Sequence, residues 1–481
     1  MLSLSASRFT IRPCIDAHVV RRPLIVPISK CVIPFTQARR RGLLTLAIES
    51  SCDDTSVAIV EKDAHAAAKI HFLENITADT RKYRGIHPIE ALQSHQESLG
   101  KLVQKALCSL PPVEHNGSTD GAVASHILPR TGDPTRRRLP DFISVTRGPG
   151  MRSNLSVGLD TAKGLAVAWQ IPIVGVHHMQ AHLLTPRLVS ALDSSAPTDD
   201  IQPKFPFLSI LVSGGHSMLV HTKSLLDHEI LATTADIAIG ETLDKSARLI
   251  LPESVMESAN TTMYGKLLEK FAFPNGLADY ADYQPPKNRG EEVVKRDNDT
   301  WGWAFTTPYA NTRDLKFSFS SVSSMVSKIM SDKIKSDVEV TQGERVTLAR
   351  ESMRVCFEHL ASRTIIALEH LQKQSKFSRR RQVVDTLVVS GGVAANRFLM
   401  TVLRSFLDVR GFPDVQVIAP PPYLCTDNAA MIGWAGIEMF EAGYSTDLSC
   451  RAIRKWTLDP SAQDGGILGA EGWIRGDEVD L

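Results

Sequence analysis

The sequence predicts a duplicated, two-lobed α/β protein with its ligand held between the lobes. Short apolar runs alternate with segments of helical periodicity, and two of those runs end in the same Ser-Gly-Gly tripeptide. A Pro/Ser/Asp stretch at 192–204 separates a first set of such units from a second. Strand-length apolar runs followed by glycine turns and amphipathic stretches read as strand-turn-helix units, and such folds bind ligands at strand ends. With 481 residues, 43% of them hydrophobic and 22% charged, the chain can bury two or three cores. No run approaches the roughly 18 apolar residues of a membrane span. The seven cysteines are scattered without a CxxC pair, which argues against a disulfide scaffold or a zinc finger and for a reducing compartment.

Residues 1–41 stand apart. Arg8, Arg12, Arg21, Arg22, Lys30, Arg39, Arg40 and Arg41 face a single acid, Asp16. An Arg-rich, acid-poor, Ser-containing leader has the composition of a mitochondrial transit peptide, so import to the mitochondrial matrix is expected. After Gly42, Leu43–Ile48 and Ser56–Val60 read as a hairpin whose tip carries Glu49, Asp53 and Asp54. The 111–140 region reads as a loop insertion. Phe142–Thr146 is a buried strand, and its Arg147-Gly148-Pro149-Gly150 turn allows close backbone approach. Ser153 is the expected cap of the next helix. Ile171–Val176 is a strand leading into His177-His178-Met179-Gln180-Ala181-His182. In the second half, Phe207–Val212 and Val383–Val389 are strands ending in Ser213-Gly214-Gly215 and Ser390-Gly391-Gly392, read as one turn per sheet edge. Residues 284–300 read as an exposed excursion, and Ala349–Leu371 as a long amphipathic helix. A helix begins near Asn396, and another follows Cys425-Thr426-Asp427-Asn428. The expected boundaries are a leader 1–41, an N-terminal lobe 42–204, a C-terminal lobe 205–433, and at 434–481 a helix returning to the first lobe and a tail.

Two features carry chemistry. His178 and His182 are four apart, hence on one face of a helix, a spacing that lets two imidazoles hold one transition metal. Met179 stands where a HExxH peptidase carries its glutamate base. Asp427, in a turn just before a helix, is placed to complete a two-His, one-carboxylate site with open positions. The two Ser-Gly-Gly turns, with Asp244 and Asn396 as ribose or base partners, suit a nucleotide. Cys52 and Cys425 lack a local activating base and read as packing residues.

Together the motifs resemble the tRNA N6-adenosine threonylcarbamoyltransferase family, and its mitochondrial branch in particular. The likeness runs from Leu44 to about Trp456. It rests on Ile48–Thr55, Gly148–Met151, the His178–His182 pair, Ser213–His216, Gly240–Lys245, Ser390–Arg397 and Cys425–Asn428. The resemblance implies the two-lobed actin/sugar-kinase/Hsp70 fold. It also implies transfer of threonylcarbamoyl from threonylcarbamoyl-adenylate, supplied by a separate synthase, to N6 of adenosine-37 in tRNAs reading ANN codons. It implies one divalent metal, zinc or iron, on His178, His182 and Asp427. Leu211, Val212, Ser213, Gly214 and Gly215 would line the carbamoyl and phosphate, and Asp244, Gly265 and Asn396 the adenosine, with Glu269 and Thr426 nearby. Mitochondrial relatives imply a homodimer without membrane insertion.

The sequence departs from the family pattern at Met263-Tyr264-Gly265-Lys266, after an inserted segment near 252–262, at Phe317–Ser324, and at Met218. These departures motivate an alternative, an adenylate-binding scaffold with impaired catalysis; a metallopeptidase is the third reading. Arg136–Arg138, Lys376 with Arg379–Arg381, and Arg451 with Arg454 and Lys455 are candidate phosphate contacts.

Overall fold

A computed structural model describes residues 42–83, 85–113, 126–127, 136–193, 200–257, 264–377 and 384–476. The expected leader, most of the 111–140 insertion, residues 258–263 and the Arg379–Arg381 cluster lie outside the described residues.

The first sheet grows from β1 (Leu43–Glu49), whose seven residues are all buried, and β2 (Asp54–Lys62) and β3 (Ala68–Thr77), which follow it antiparallel. Helix α1 (Pro88–Cys108) then leads to β4 (Phe142–Gly148), parallel to β1. Helix α2 (Arg152–Trp169) starts from Met151 in extended conformation. Ser153 is therefore not its cap: the chain enters one residue earlier, and the Ser153 hydroxyl bonds Asn154 Oδ1 instead (3.0 Å). Strand β5 (Ile173–His177) adds parallel to β4 and runs straight into α3 (His178–Leu192), with the His177 ring accepting from the Gln180 amide at the helix start.

The second sheet repeats this plan. Strands β6 (Phe207–Val212), β7 (Ser217–Thr222) and β8 (His228–Thr233) are antiparallel neighbours. Helices α4 (Ile239–Ile250), α5 (Tyr264–Ala272), α6 (Ser320–Lys335) and α7 (Gln342–Phe377) follow. Then β9 (Thr386–Ser390) pairs parallel to β6, α8 (Arg397–Val409) is capped by Asn396, and β10 (Gln416–Ile418) pairs parallel to β9. Every residue of β6 and β9 is buried, as central strands covered on both faces require.

The last elements are α9 (Ala429–Glu441), β11 (Tyr444–Thr446) and β12 (Trp473–Arg475). The sheet orders are β12-β11-β5-β4-β1-β2-β3 and β8-β7-β6-β9-β10. Both contain the same five-strand unit: three antiparallel strands in sequence, then two parallel ones added to the first. That repeat is the duplication. Helix α9, although it follows the second sheet, packs on β1, β2, β4 and α3; α3 in turn touches both β6 and β9. The lobes are thereby joined by these two buried helices.

Two expectations need correction. The two Ser-Gly-Gly turns, expected one per sheet edge, instead end β6 and β9, adjacent inner strands of the second sheet, because strand order is set by crossovers that local sequence does not display. The 284–300 region is not simply an exposed excursion. It holds Arg296–Asn298 paired to Trp303–Phe305, and Glu292, 4% exposed, bonds Arg289, Ser362 and Arg410. Most of the region is exposed, as expected, and the Glu292–Arg410 and Arg296–Glu358 ion pairs anchor it to the end of α8 and to α7.

Candidate metal centre and nucleotide cleft

His178 and His182 open α3 and lie on one face of it, 7% and 4% exposed, with their rings 4.8 Å apart edge to face. Asp427 reaches them from the turn before α9. Its Oδ1 lies 3.1 Å from His182 Nε2 and 3.5 Å from His178 Nε2. One ligand atom from each of the three residues falls within 4.8 Å of the others. Behind this group, His178 Nδ1 meets Glu49 Oε2 (3.1 Å) and Ser51 Oγ (3.3 Å). Glu49 is fully buried at the end of β1 and also accepts from the Ser51 amide and the Thr146 hydroxyl. A carboxylate on the far nitrogen of a ligand histidine fixes its tautomer and leaves Nε2 for a metal.

The electrostatics agree with the donor set. Burial opposes ionisation of Asp427, yet His178 and His182 hold its carboxyl well below the usual range. Burial likewise opposes Glu49, and His178 again outweighs it. His178 is pushed well above its ordinary value, with Asp427 and Glu49 overcoming burial. The pocket thus favours positive charge between the buried Glu49 and the half-buried Asp427, a demand that a divalent cation meets. Two imidazoles and one carboxylate are a fitting set for zinc or iron.

The short helix Pro422–Cys425 brings this centre beside the Ser-Gly-Gly turns, since it touches both α3 and the 3₁₀ turn Gly392–Ala395. Leu211 and Val212 have buried side chains and offer only backbone to a ligand. Ser213 Oγ accepts from the Gly215 and His216 amides (3.3 and 3.0 Å). Among the described residues the exposed Gly214 amide makes no hydrogen bond, so it is the free donor of this turn. Gly391 closes the second turn at φ +96°, where a Cβ would lie 2.4 Å from the Val212 carbonyl oxygen. Only glycine lets β6 and the β9 turn approach this closely.

Further along the cleft, the Asp244 carboxylate of α4 accepts from the Gly265 amide at the start of α5 (2.7 Å). Burial pushes this carboxyl up to about 6 in spite of that bond. Glu269 accepts from the Arg397 amide (2.9 Å), and Asn396 Oδ1 accepts from Leu399 N (3.1 Å). Asn396 is buried and serves as the cap of α8. Thr426 is half-buried, and its carbonyl accepts from Asn428 Nδ2 (2.8 Å). The metal trio is therefore brought into mutual contact, and Asp244 with Gly265 and Glu269 with Asn396–Arg397 form a second cluster. Burial raises both the Cys52 and Cys425 thiols, the latter to about 11, which suits packing residues and not nucleophiles.

Two of the segments that depart from the family pattern are tied into the fold. The Gly265 amide donates to Asp244. In the Phe317–Ser324 segment, Phe317 and Phe319 are fully buried, and Asp236 accepts from the Ser318 and Ser320 hydroxyls and from the Phe319 and Ser320 amides. In the sequence, Glu49 and Ser51 read only as part of a polar hairpin turn and Thr146 only as a strand end, Asp236 is not singled out, and none of the four is given a role at the site. The usable signal for Glu49 was a charged residue closing an otherwise apolar strand.

Residues 137–434 match the family tRNA N6-adenosine threonylcarbamoyltransferase. The mitochondrial tRNA N6-adenosine threonylcarbamoyltransferase of Schizosaccharomyces pombe is 35% identical over 446 residues, covering 90% of each chain. Likeness to that mitochondrial protein supports the same localisation here. The bacterial proteins of that name from Zymomonas mobilis and Brucella ovis are 29% and 32% identical, over 87% and 86% of this chain and 93% and 95% of their own. With the duplicated two-lobed α/β fold, this likeness assigns the chain to the tRNA N6-adenosine threonylcarbamoyltransferases, a family of transferases.

Proposed function

We propose that the chain transfers the threonylcarbamoyl group from threonylcarbamoyl-adenylate to N6 of adenosine-37 in mitochondrial tRNAs reading ANN codons, with AMP as leaving group. The observation that carries the reading is the convergence of His178 Nε2 and His182 Nε2 on Asp427 Oδ1, backed by Glu49 and set beside the Ser-Gly-Gly turns. His178, His182 and Asp427 would hold one zinc or iron ion, which when bound polarises a carbonyl oxygen.

The protein's own groups do the rest. Glu49 and Ser51 fix the His178 ring. The free Gly214 amide donates to a carbamoyl or phosphate oxygen at the end of β6, where charge develops. Asp244 and Gly265 hold the ribose side, with Glu269, Asn396 and Thr426 completing the wall. The cleft aligns the amine with the carbonyl carbon. The N6–C bond forms, the C–O bond to the phosphate breaks, AMP leaves with the electron pair, and N6 releases one proton. No covalent enzyme intermediate is needed. The chain would act as a homodimer in the matrix, supplied with adenylate by a separate synthase.

Incubation of the protein with threonylcarbamoyl-adenylate and an unmodified ANN-decoding tRNA, followed by nucleoside mass spectrometry, tests this reading. Threonylcarbamoyl-adenosine from the parent and none from His178→Ala is the expected result. Product from both would remove the metal assignment. Adenylate binding without product from the parent would favour the scaffold.

A further inference from the structure

We infer that Arg451, Arg454 and Lys455, together with Arg152, form the surface on which the phosphate backbone of the tRNA docks beside the metal centre. This rests on the functional reading above and adds to it the place where the polynucleotide lies.

The segment 450–456 is an irregular strap whose main chain is held at nearly every step. Lys163 Nζ donates to the Cys450 carbonyl (2.5 Å), Arg147 Nε to Arg451 O (3.1 Å), and Gly150 N to Arg454 O (3.3 Å). Ile453 N donates to Arg147 O (2.8 Å), His177 Nε2 meets Trp456 O (3.1 Å), and the buried Trp456 indole donates to Gly466 O (3.0 Å). The strap is fixed, yet its cationic side chains are not used to fix it. Arg451, Arg454 and Lys455 are exposed, as is Arg152 at the start of α2. None of the four side chains makes a hydrogen bond or ion pair with the described residues.

Structural arginines in this chain behave differently. Arg363 donates to the carbonyls of Tyr309, Thr312 and Asp314, and Arg289 donates to those of Tyr309, Ala310 and Thr312. No acid occurs between Ser449 and Leu458 to balance the strap. Four uncompensated cations gathered on one rigid rim, in a chain of formal charge +1, are a complement to a polyanion.

Their position selects which polyanion. The Arg454 carbonyl holds the Gly150 amide, the adjoining Met151 amide donates to Ser51 O (2.9 Å), and Ser51 Oγ touches His178 Nδ1 (3.3 Å). Gly150 makes this stacking possible, since a Cβ there would sit 2.7 Å from Ser51 O. The rim is thus built directly onto the wall of the metal centre. An adenosine presented at that centre carries its flanking phosphates over the neighbouring surface, where arginine and lysine position a nucleic acid without reading its sequence.

The test uses the full chain with Arg152, Arg451, Arg454 and Lys455 all changed to alanine, and a second variant with the three arginines changed to lysine. Filter binding of an ANN-decoding tRNA transcript is measured across a salt series, with AMP binding by calorimetry reporting an intact cleft. Loss of four phosphate contacts lowers the slope of log affinity against log salt by about 3 and weakens binding on the order of tenfold or more at moderate salt. KM for tRNA rises, kcat is retained, and the lysine variant restores most of the slope. An unchanged slope and affinity in the alanine variant, with AMP binding intact, would overturn the docking surface while leaving the reaction standing. The docking surface is equally overturned if the variant instead loses binding only to cardiolipin-containing vesicles. No tRNA binding by the parent would overturn the functional reading and this surface with it.

Discussion

At the scale of single residues, the centre depends on a carboxylate that is not itself in the His/His/Asp trio. Glu49 lies 129 positions from His178, and β1 and β5 reach each other only through β4. Replacing it with glutamine removes the charge that orients the ring, and a loss of about 10- to 100-fold in metal affinity is expected, read by competition with a chelating dye. The histidine pair was legible in the sequence, because a four-residue spacing is local and a helix converts it directly into one face. Asp427, 245 positions from His182, was proposed from its turn before a helix and from the family likeness. Glu49 was not legible, since only the packing of the parallel strands makes it a neighbour. Asp236 illustrates the same limit. Burial disfavours its charge, but the Ser320 and Ser318 hydroxyls and two amides outweigh that and bring it down to about 2. A carboxyl depressed in the folded state stabilises above its unfolded value near 4 and loses that contribution as pH falls toward 2. Asp236→Asn should therefore cost on the order of 1 kcal/mol at neutral pH, after allowance for its partial exposure. Denaturant titrations at pH 7 and pH 2.5 should show this difference closing at the lower pH.

At the scale of elements, apolar spacing located the long helix α7, and an unbroken apolar run located the strand β6. Apolar spacing reports the buried face wherever the partner happens to lie. What it did not report was which strands are neighbours. The two Ser-Gly-Gly turns were read as one per sheet edge, and they instead end adjacent inner strands of the second sheet, with Gly391 against the Val212 carbonyl. That contact is specific enough to test. Gly391→Ala adds a side chain at φ +96° and 2.4 Å from a main-chain oxygen. A loss of about 1–3 kcal/mol is expected from the backbone conformation alone, visible as a lower denaturation midpoint. Adenylate binding should weaken with it, because the Gly214 turn rests on the same strand. Unchanged stability would mean that the turn can relax.

At the scale of the whole molecule, the candidate metal centre brings together residues from both sides of the chain's main division. His178 and His182 follow the last parallel strand of the first sheet's five-strand unit, and Asp427 follows the last strand of the second. A cation held by all three is bound only by the native arrangement of the lobes, and a ligand that binds only the native state raises stability by mass action. Removing it with a chelator should lower the melting temperature of the parent and leave His182→Ala, already short of a ligand, nearly unmoved. The duplication itself was legible from the repeated strand-turn-helix order. The crossing of α9 back onto the first sheet was expected from the family likeness, and the buried contacts of α9 with β1, β2 and α3 give that crossing its physical basis. The most direct measurement is a single-turnover transfer assay in which threonylcarbamoyl-adenosine formed on tRNA is followed before chelation, after it, and after zinc or iron is returned. Loss of product on chelation with AMP binding retained, and recovery on re-addition, is the expected result. Undiminished product after complete metal removal would contradict a reaction centred on His178, His182 and Asp427.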